Sequence, residues 1–388
     1  MVWDELNKAS QTAFDAGDYL EAERLLNLAV VEAQKDPAKL GATLYRLGKV
    51  HLHLEDYERA ESVLTRALAI SGKALGLEHP EVARIIDQLG NANANQGKFA
   101  EAEPLLNRGL EMRRKLLGDQ HAEVAESLIS LGALHTRQRN FGQAELCLRD
   151  ALEMQQKLLG ADDVAIAETL GLMAMLYYKQ NVFAEAARYA EKAIEIRNNA
   201  LGANHPDVAM SLHILAMAAA AQKEYDQALV LYDRVLTIRQ HYYPREHSLI
   251  TSVVRAIGMI YLRTRNFAQA QSVFEDLERI AEAGNKTSEM IFAMKQIGWL
   301  FVMQRNFDSG QVYIARALRR LQNMDSTADR ARDNLTMSLF CCHIGLKDYL
   351  SAAKALPATA RVLAKNRMTD KQLFKHGIKT GLYAGRRG

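Results

Sequence analysis

Along most of the 388-residue chain one pattern recurs: a stretch with apolar residues every three or four positions, a short polar break ending in an aromatic residue, and a second stretch of the same kind. The break reads GDYLEAERLL from residue 17, EDYERAESVL from 55, GKFAEAEPLL from 97, RNFGQAELCL from 139, NVFAEAARYA from 181, KEYDQALVLY from 223, RNFAQAQSVF from 265, RNFDSGQVYI from 305 and KDYLSAAKAL from 347. The aromatics Tyr19, Tyr57, Phe99, Phe141, Phe183, Tyr225, Phe267, Phe307 and Tyr349 are spaced by 38, 42, 42, 42, 42, 42, 40 and 42 residues. One unit has therefore been copied nine times. The helical period on both sides of each break predicts two helices per unit, joined by a tight turn.

Small residues mark where the two helices meet. Three positions after the aromatic stands alanine (Ala22, Ala60, Ala102, Ala144, Ala186, Ala228, Ala270, Ala352) or Gly310. Nine positions before it stands Gly48, Gly90, Gly132, Ala174, Ala216, Gly258 or Gly298. Glycine inside a helix costs roughly 0.5 to 1 kcal/mol, so its recurrence at one register implies a close crossing that a side chain would obstruct. The aromatic is expected to wedge between the helices of its own unit.

With these landmarks the chain resembles the tetratricopeptide repeat family along nearly all its length. Most units have 42 residues, against 34 in typical members. The extra residues fall in connectors reading LGLEHPEVA from Leu75, LGDQHAEVA from Leu117, LGADDVAIA from Leu159 and LGANHPDVA from Leu201. In this the sequence is similar to the kinesin light chain type of array. The light chains' heptad coiled coil is not expected, because the chain enters a repeat-like segment by Leu6, and no asparagine stands at the two wall positions where light chains use it to hold a peptide backbone. Gly76, Gly118, Gly160 and Gly202 suit left-handed helix C-caps, Pro80 and Pro206 suit first helical turns, and Pro37 and Pro244 fall between units. Pro104 predicts a bend near the start of its helix, and Pro357 a break in a degenerate last unit.

The resemblance implies an all-α fold, a right-handed α-solenoid superhelix of about nine helix-turn-helix units. The units lie near 1–35, 38–76, 79–118, 121–160, 162–202, 205–243, 246–284, 287–323 and 326–366, followed by a basic capping segment and tail over 367–388. It also implies that first helices line a concave inner wall and second helices an outer one.

Counted from the turn aromatic, the inner-wall positions of such arrays are minus 15, 12, 11, 8, 5 and 4. Minus 8 reads Lys49, Asn91, Ala133, Met175, Met217, Met259, Trp299 and Cys341, a polar entrance followed by a run of large apolar residues. Tyr178, Met210 and His213 occupy other inner positions nearby. Methionines are adaptable and over-used on surfaces that bind varied peptides, so this row is the candidate peptide groove. The alternative reading is core, since minus 8 adjoins the core positions minus 10 and minus 7. With first helices roughly 10 Å apart, Met175 to Trp299 spans about 30 Å, or about nine extended residues at about 3.3 Å each.

Arg46, Lys49, Arg84, Arg255 and Lys295 stand at inner positions against Asp87, Glu126 and Glu168. Arg137, Lys179 and Arg263 are set aside because the helix dipole alone favours cations in a last turn. The remaining bias points to an acidic peptide, since arginine forks suit carboxylates.

Chemistry is sparse. The sequence has no glycine-rich phosphate loop, HExxH, CxxC or GxSxG, and no cofactor is expected. Cys341 and Cys342 are adjacent and point apart, and with Cys147 they read as packing residues, while His79, His121 and His205 read as structural turn residues. Composition, at 48% hydrophobic and 24% charged with three cysteines, fits a helix-rich protein of a reducing compartment. With no secretory leader at the start and no apolar run of membrane-spanning length, a cytoplasmic location without membrane insertion is expected. Net charge is only +3, and residues 361–388 carry eight lysines and arginines against Asp370. That tail is a cap or a binding element, and nucleic acid is not the expected partner. The function expected is a non-enzymatic scaffold or adaptor that binds a peptide segment of a protein partner, not a small-molecule substrate, in the concave groove. The alternative is an intracellular peptide-sensing regulatory receptor whose superhelix changes conformation on ligand binding. The sequence sets no oligomeric state.

Overall fold

A computed structural model of the chain describes residues 2–160 and 162–322. They form an all-α solenoid, without strands among the described residues, in two compact units that divide between Tyr242 and Tyr243. The first unit contains α1 (Val2–Asp15), α2 (Tyr19–Glu32), a 3-10 turn (Ala33–Lys35), α3 (Pro37–His53), α4 (Tyr57–Leu75), α5 (Pro80–Asn95), α6 (Phe99–Leu117), α7 (Ala122–Gln138), α8 (Phe141–Leu158), α9 (Val164–Lys179), α10 (Phe183–Leu201), α11 (Pro206–Gln222) and α12 (Tyr225–Tyr242). The second contains α13 (Ser248–Arg263), α14 (Phe267–Ala283), α15 (Thr287–Met303) and α16 (Phe307–Gln322). The ninth repeat, Cys341, Cys342, Pro357 and the basic segment 367–388 lie outside the described residues.

Each even-numbered helix begins at the turn aromatic. The turn before it is closed in the same way in every hairpin. Asp18, Lys98 and Asn306, for example, donate their backbone N–H to carbonyls five residues back, at Ala13, Asn93 and Phe301, over 2.8–2.9 Å. The preceding residue takes a positive φ and bonds three residues back, completing a Schellman motif. Gly17 and Gly97 fill that position in two hairpins, but Glu55, Arg139, Asn181, Lys223, Arg265 and Arg305 fill it in the others. The composition of the turns therefore gives little sign of their shape.

The small residues at the crossing act by sterics. Ala22, Ala60, Ala102, Ala144, Ala186, Ala228 and Ala270 have no exposed surface. A Cβ added at Gly48, Gly90 or Gly132 would come within 2.5–2.6 Å of Leu64, Leu106 or Leu148, each seven residues after the aromatic of its unit. Where the glycine is replaced by Ala174, the facing residue is Ala190, and both are fully buried in one cluster. Elsewhere the facing register is larger, Phe274 against Gly258 and buried Tyr232 in the register facing Ala216, so what recurs is the small residue on the first helix.

The connectors are equally ordered. His79, His121, His205 and His247 are N-caps whose Nδ1 accepts the backbone N–H two residues on, at 3.2–3.3 Å, and Asp36 and Asp163 do the same with a carboxylate. Pro37, Pro80 and Pro206 occupy the first helical turn, and α6 runs unbroken through Pro104. The glycines differ from expectation. Gly76, Gly118 and Gly202 have φ of 84–88° but ψ of 154–167°, a mirror-extended region open essentially to glycine and not the left-handed helical one. At Gly160 the helix ends earlier, and extended Leu159 is the cap.

A polar clamp joins successive repeats. Arg113, Gln155 and Arg197, each fourteen residues after a turn aromatic, reach the carbonyls of Glu123, Ala165 and Asp207 at the start of the next first helix. They also meet the hydroxyls of Ser127, Thr169 and Ser211 at 2.6–3.0 Å. Within the first unit α3, α5, α7, α9 and α11 touch one another in succession, whereas contacts between successive second helices are weaker. The first helices are thus the crowded, inner side of the array.

If the close approach of Gly90 to Leu106 governs this crossing, Gly90→Ala should destabilise the protein by about 1–3 kcal/mol through overpacking. Leu106→Ala alone should cost about 2–5 kcal/mol. In the double variant the two losses should fall short of additive by about 1 kcal/mol or more, measurable by denaturant titration of the four proteins; simple additivity would count against it.

Candidate peptide-binding channel

Across five consecutive first helices of the first unit, the minus 8 residues Lys49, Asn91, Ala133, Met175 and Met217 are all half-buried. They lie at the edge of the core with one side open. Met175 packs against the buried cluster of Ala174, Ala190, Ile214 and Leu215. Met210 is 49% exposed, and half-buried Met217 stands near it on α11. His213 meets Tyr232 edge-on at a centroid distance of 5.5 Å, with Arg239 Nη1 3.5 Å from its Nδ1. Tyr178 leans on Phe183 at 5.7 Å.

Most of the predicted cations have intramolecular companions. Arg84 is shared between Glu81 at 2.7 Å and Glu123 at 2.6 Å. Asn91 donates to Ser130 Oγ at 3.0 Å. Arg46 is exposed and donates only to the neutral Asn7 Oδ1 at 3.1 Å, and Lys49 Nζ lies 5.3 Å from the centre of the Phe14 ring. Among the described residues neither stands in an ion pair at contact distance, and with Ser10, Gln11, Phe14 and Tyr45 they line a pocket between α1 and α3. Burial pushes the Tyr45 hydroxyl up to about 12, with Glu126 adding to the shift and Arg113 and Arg84 opposing it.

Two carboxylates were not legible as special. Asp87 is sealed beside Arg113, Oδ2 to Nη1 at 2.6 Å, with Ser127 Oγ donating to the same oxygen at 2.7 Å. Burial outweighs this pairing and raises the Asp87 carboxyl to about 6. Glu168 touches solvent, yet the surrounding protein raises its carboxyl; Arg197 opposes that rise, Asp207 and Glu126 add to it, and Lys49 opposes it again. Glu168 on α9 thus shares an electrostatic neighbourhood with Lys49 on α3.

The reason is a contact that bypasses the repeats between. The turn of the first hairpin reaches the start of α11: His205 Nε2 lies 3.2 Å from the carbonyl of Asp15, and Tyr19 Oη donates to Asp207 Oδ1 at 3.2 Å. Because His205 Nδ1 accepts a backbone N–H, its Nε2 carries the proton and donates. Gly17, with φ of +78°, lies so close to Pro206 that an added Cβ would meet its Cγ at 2.4 Å. His53 stacks on Tyr19 at 4.8 Å, and Phe14 packs edge-on against both.

In the second unit Met259 is half-buried, while Arg255 and Lys295 face the same Phe292 ring at 5.3 and 5.8 Å, Arg255 also lying 3.7 Å from Glu289. Burial lowers the Lys295 ammonium pKa. Trp299 corrects the sequence reading. It is only 6% exposed, in a core cluster with Met294, Val302, Ile314 and Leu321. The minus 8 register borders the core, and an indole at that place folds inward where a lysine or methionine remains at the edge.

A sequence profile of the tetratricopeptide repeat matches residues 39–115, 81–157 and 163–241, together just over half the chain. The chain belongs to the tetratricopeptide repeat family. None of the curated proteins matches it in sequence. Among solved structures, this tetratricopeptide repeat protein is similar to a Rap protein complexed with competence and sporulation factor (12% identity, 97% of this chain and 99% of that one, TM-score 0.57). It is also similar to the apo quorum sensor NprR from B. thuringiensis (15% identity, 81% and 86%, TM-score 0.55). Repeats of a putative kinesin light chain from Podosopora anserina share 24% identity over 52% of this chain and 96% of theirs, at TM-score 0.39. Among the described residues no helix is long and apolar enough to cross a membrane, and no three His, Cys, Asp or Glu side chains are placed to hold a metal.

Burial depresses the His53 imidazole to about 4, with Asp207 opposing and Lys49, Arg197 and His205 adding to the shift. Its unfolded value is about 6.5. The folded state then holds fewer protons than the unfolded one between those values, so this contribution to stability is present above about 6.5 and is lost as pH falls toward 4. His53→Phe, which keeps a ring against Tyr19 and Phe14, should show a smaller loss of stability from pH 7 to pH 5 than the wild type in urea titrations.

Proposed function

We propose that this protein is a non-enzymatic interaction module that binds a peptide segment of a protein partner along the first helices of its first unit. The observation that carries the reading is the unbroken row of half-open minus 8 residues, ending in the methionines Met175 and Met217, with exposed Met210 seven residues before Met217 on α11. Such side chains repack around differing apolar groups. At the other end of the row, Arg46 and Lys49 supply charge that no carboxylate among the described residues meets at contact distance, which supports a partner segment with an acidic residue there and an apolar or aromatic residue near the methionines. A cytoplasmic adaptor or scaffold role follows from that reading.

The regulatory alternative, a peptide-sensing receptor, has one structural point in its favour. The contact between the first hairpin and α11 gives the unit a joint that a ligand could release. Two similar structures bear titles of peptide signalling, one a complex with competence and sporulation factor and one a quorum sensor; those words describe those proteins.

Screening a library of acidic, aromatic-containing peptides against the full chain tests the first reading. Met217→Glu and Arg46→Glu should each weaken the selected peptide by about tenfold or more, as a charge reversal or a buried charge at a contact does, with the far-ultraviolet circular dichroism unchanged. Undiminished binding by both variants would remove this wall from the proposal.

A further inference from the structure

We propose that the turn Asp15–Tyr19 is a releasable latch on the channel, and that a carboxylate-bearing peptide in the adjoining pocket opens it. The second part rests on the peptide-binding reading; the first does not. A stacked repeat array draws its stability from neighbours in sequence, yet here groups 188 and 190 residues apart are joined. The joint is local: it includes two hydrogen bonds at 3.2 Å and an approach of backbone to a proline ring, with Tyr19 and His205 buried at it. Neither helix needs it to form. α11 is already capped by His205 Nδ1 and Pro206, and the first hairpin is closed by its own Schellman bonds. A contact of that kind can open with both partners still folded.

The fit is nevertheless specific. Gly17 and Gly97 occupy the same turn position with nearly the same φ, +78° and +81°, but a side chain at Gly97 would meet nothing within 4 Å. Only at Gly17 does another part of the chain fill that space. Phe14 ties the joint to the pocket, since it lines the pocket, lies under Lys49 and packs against Tyr19, whose hydroxyl bonds Asp207. A carboxylate drawn to Arg46 and Lys49 competes for the ammonium now over the Phe14 ring and leaves that ring to move with Tyr19. Equilibrium coupling runs both ways, so peptide and closure must each disfavour the other.

Hydrogen exchange read by mass spectrometry on the full chain tests the latch without any ligand. In Tyr19→Phe, His205→Asn the asparagine keeps an acceptor for the helix cap but is too short to reach Asp15. Exchange should quicken by about threefold or more in peptides covering 12–22 and 205–215, with α5 to α8 unchanged. A pattern identical to the wild type would overturn the latch. If the double variant exchanges faster throughout, Tyr19→Phe alone decides, since it removes one hydroxyl: faster exchange limited to the two segments supports the latch, and no change overturns it. Adding the selected acidic peptide to the wild type should deprotect residues 15–22 and 205–209, which stop short of Met210 and His213, and added protection there would overturn the coupling. Should no peptide bind, the channel reading fails while the ligand-free result still judges the latch.

Discussion

The architecture depends on one steric constraint: two helices cross where the first helix offers only glycine or alanine to the facing side chain, which ranges in size up to Phe274 against Gly258. Gly48 against Leu64, Gly90 against Leu106, Gly132 against Leu148 and Gly298 against Ile314 satisfy it in one way, and Ala174 against Ala190 in another. Since the crossing is the same in copy after copy, every first helix presents the same register to the same side. That is why Lys49, Asn91, Ala133, Met175 and Met217, 42 residues apart and unlike in chemistry, share a half-buried environment at minus 8. The repeat converts a sequence period into a row of side chains.

The second determinant is the joint between copies. Arg113, Gln155 and Arg197 hold the carbonyl and hydroxyl that open the next first helix, and histidine or aspartate caps fix where that helix starts. A buried arginine is expensive unless its hydrogen bonds are met, and removing one partner of a buried ion pair commonly costs about 3–5 kcal/mol. Arg113 spends its bonds on Asp87, Ser127 and the Glu123 carbonyl. Directional bonds of this kind set an angle in a way that apolar contact alone does not. The longer connectors are therefore rigid joints and not slack.

Much of this was readable before any coordinates. The aromatic spacing gave the helix starts, and the alanine and glycine columns gave the crossing. Prolines and histidines marked the connectors. What escaped reading did so for identifiable reasons. The clamp column, Arg113, Gln155 and Arg197, is periodic, but its chemistry changes from guanidinium to amide and it sits on helices assigned to the outer wall. The positive-φ turn residues are mostly glutamate, arginine, lysine and asparagine, because hydrogen bonding around the turn overrides a preference worth about 1–2 kcal/mol. Trp299 shares a register with Met259 but not its size, and register alone does not say whether a side chain at the border turns inward. The joint between Tyr19 and Asp207 has no period at all, since it depends on the accumulated geometry of the intervening copies.

That accumulation gives the closure its physical meaning. Five repeat-to-repeat steps lie between the first hairpin and the sixth first helix, and a small rotation at each adds to a displacement at the end. A hydrogen bond weakens over a few tenths of an ångström beyond its usual range of about 2.7–3.2 Å for N–H to oxygen. The bond of His205 stands at that outer limit, and the hydroxyl bond of Tyr19, also at 3.2 Å, is longer than the usual range of about 2.5–3.0 Å for O–H to oxygen. They are thus tuned to the summed curvature of the wall, and anything that alters the packing of Met175, Lys49 or Glu168 by a fraction of an ångström per repeat is felt most strongly where the ends meet. A packed interior resists gradual deformation, so such a change is expressed as one contact made or lost. The same regularity that spreads a row of side chains along the wall thereby concentrates its mechanical response in a single turn.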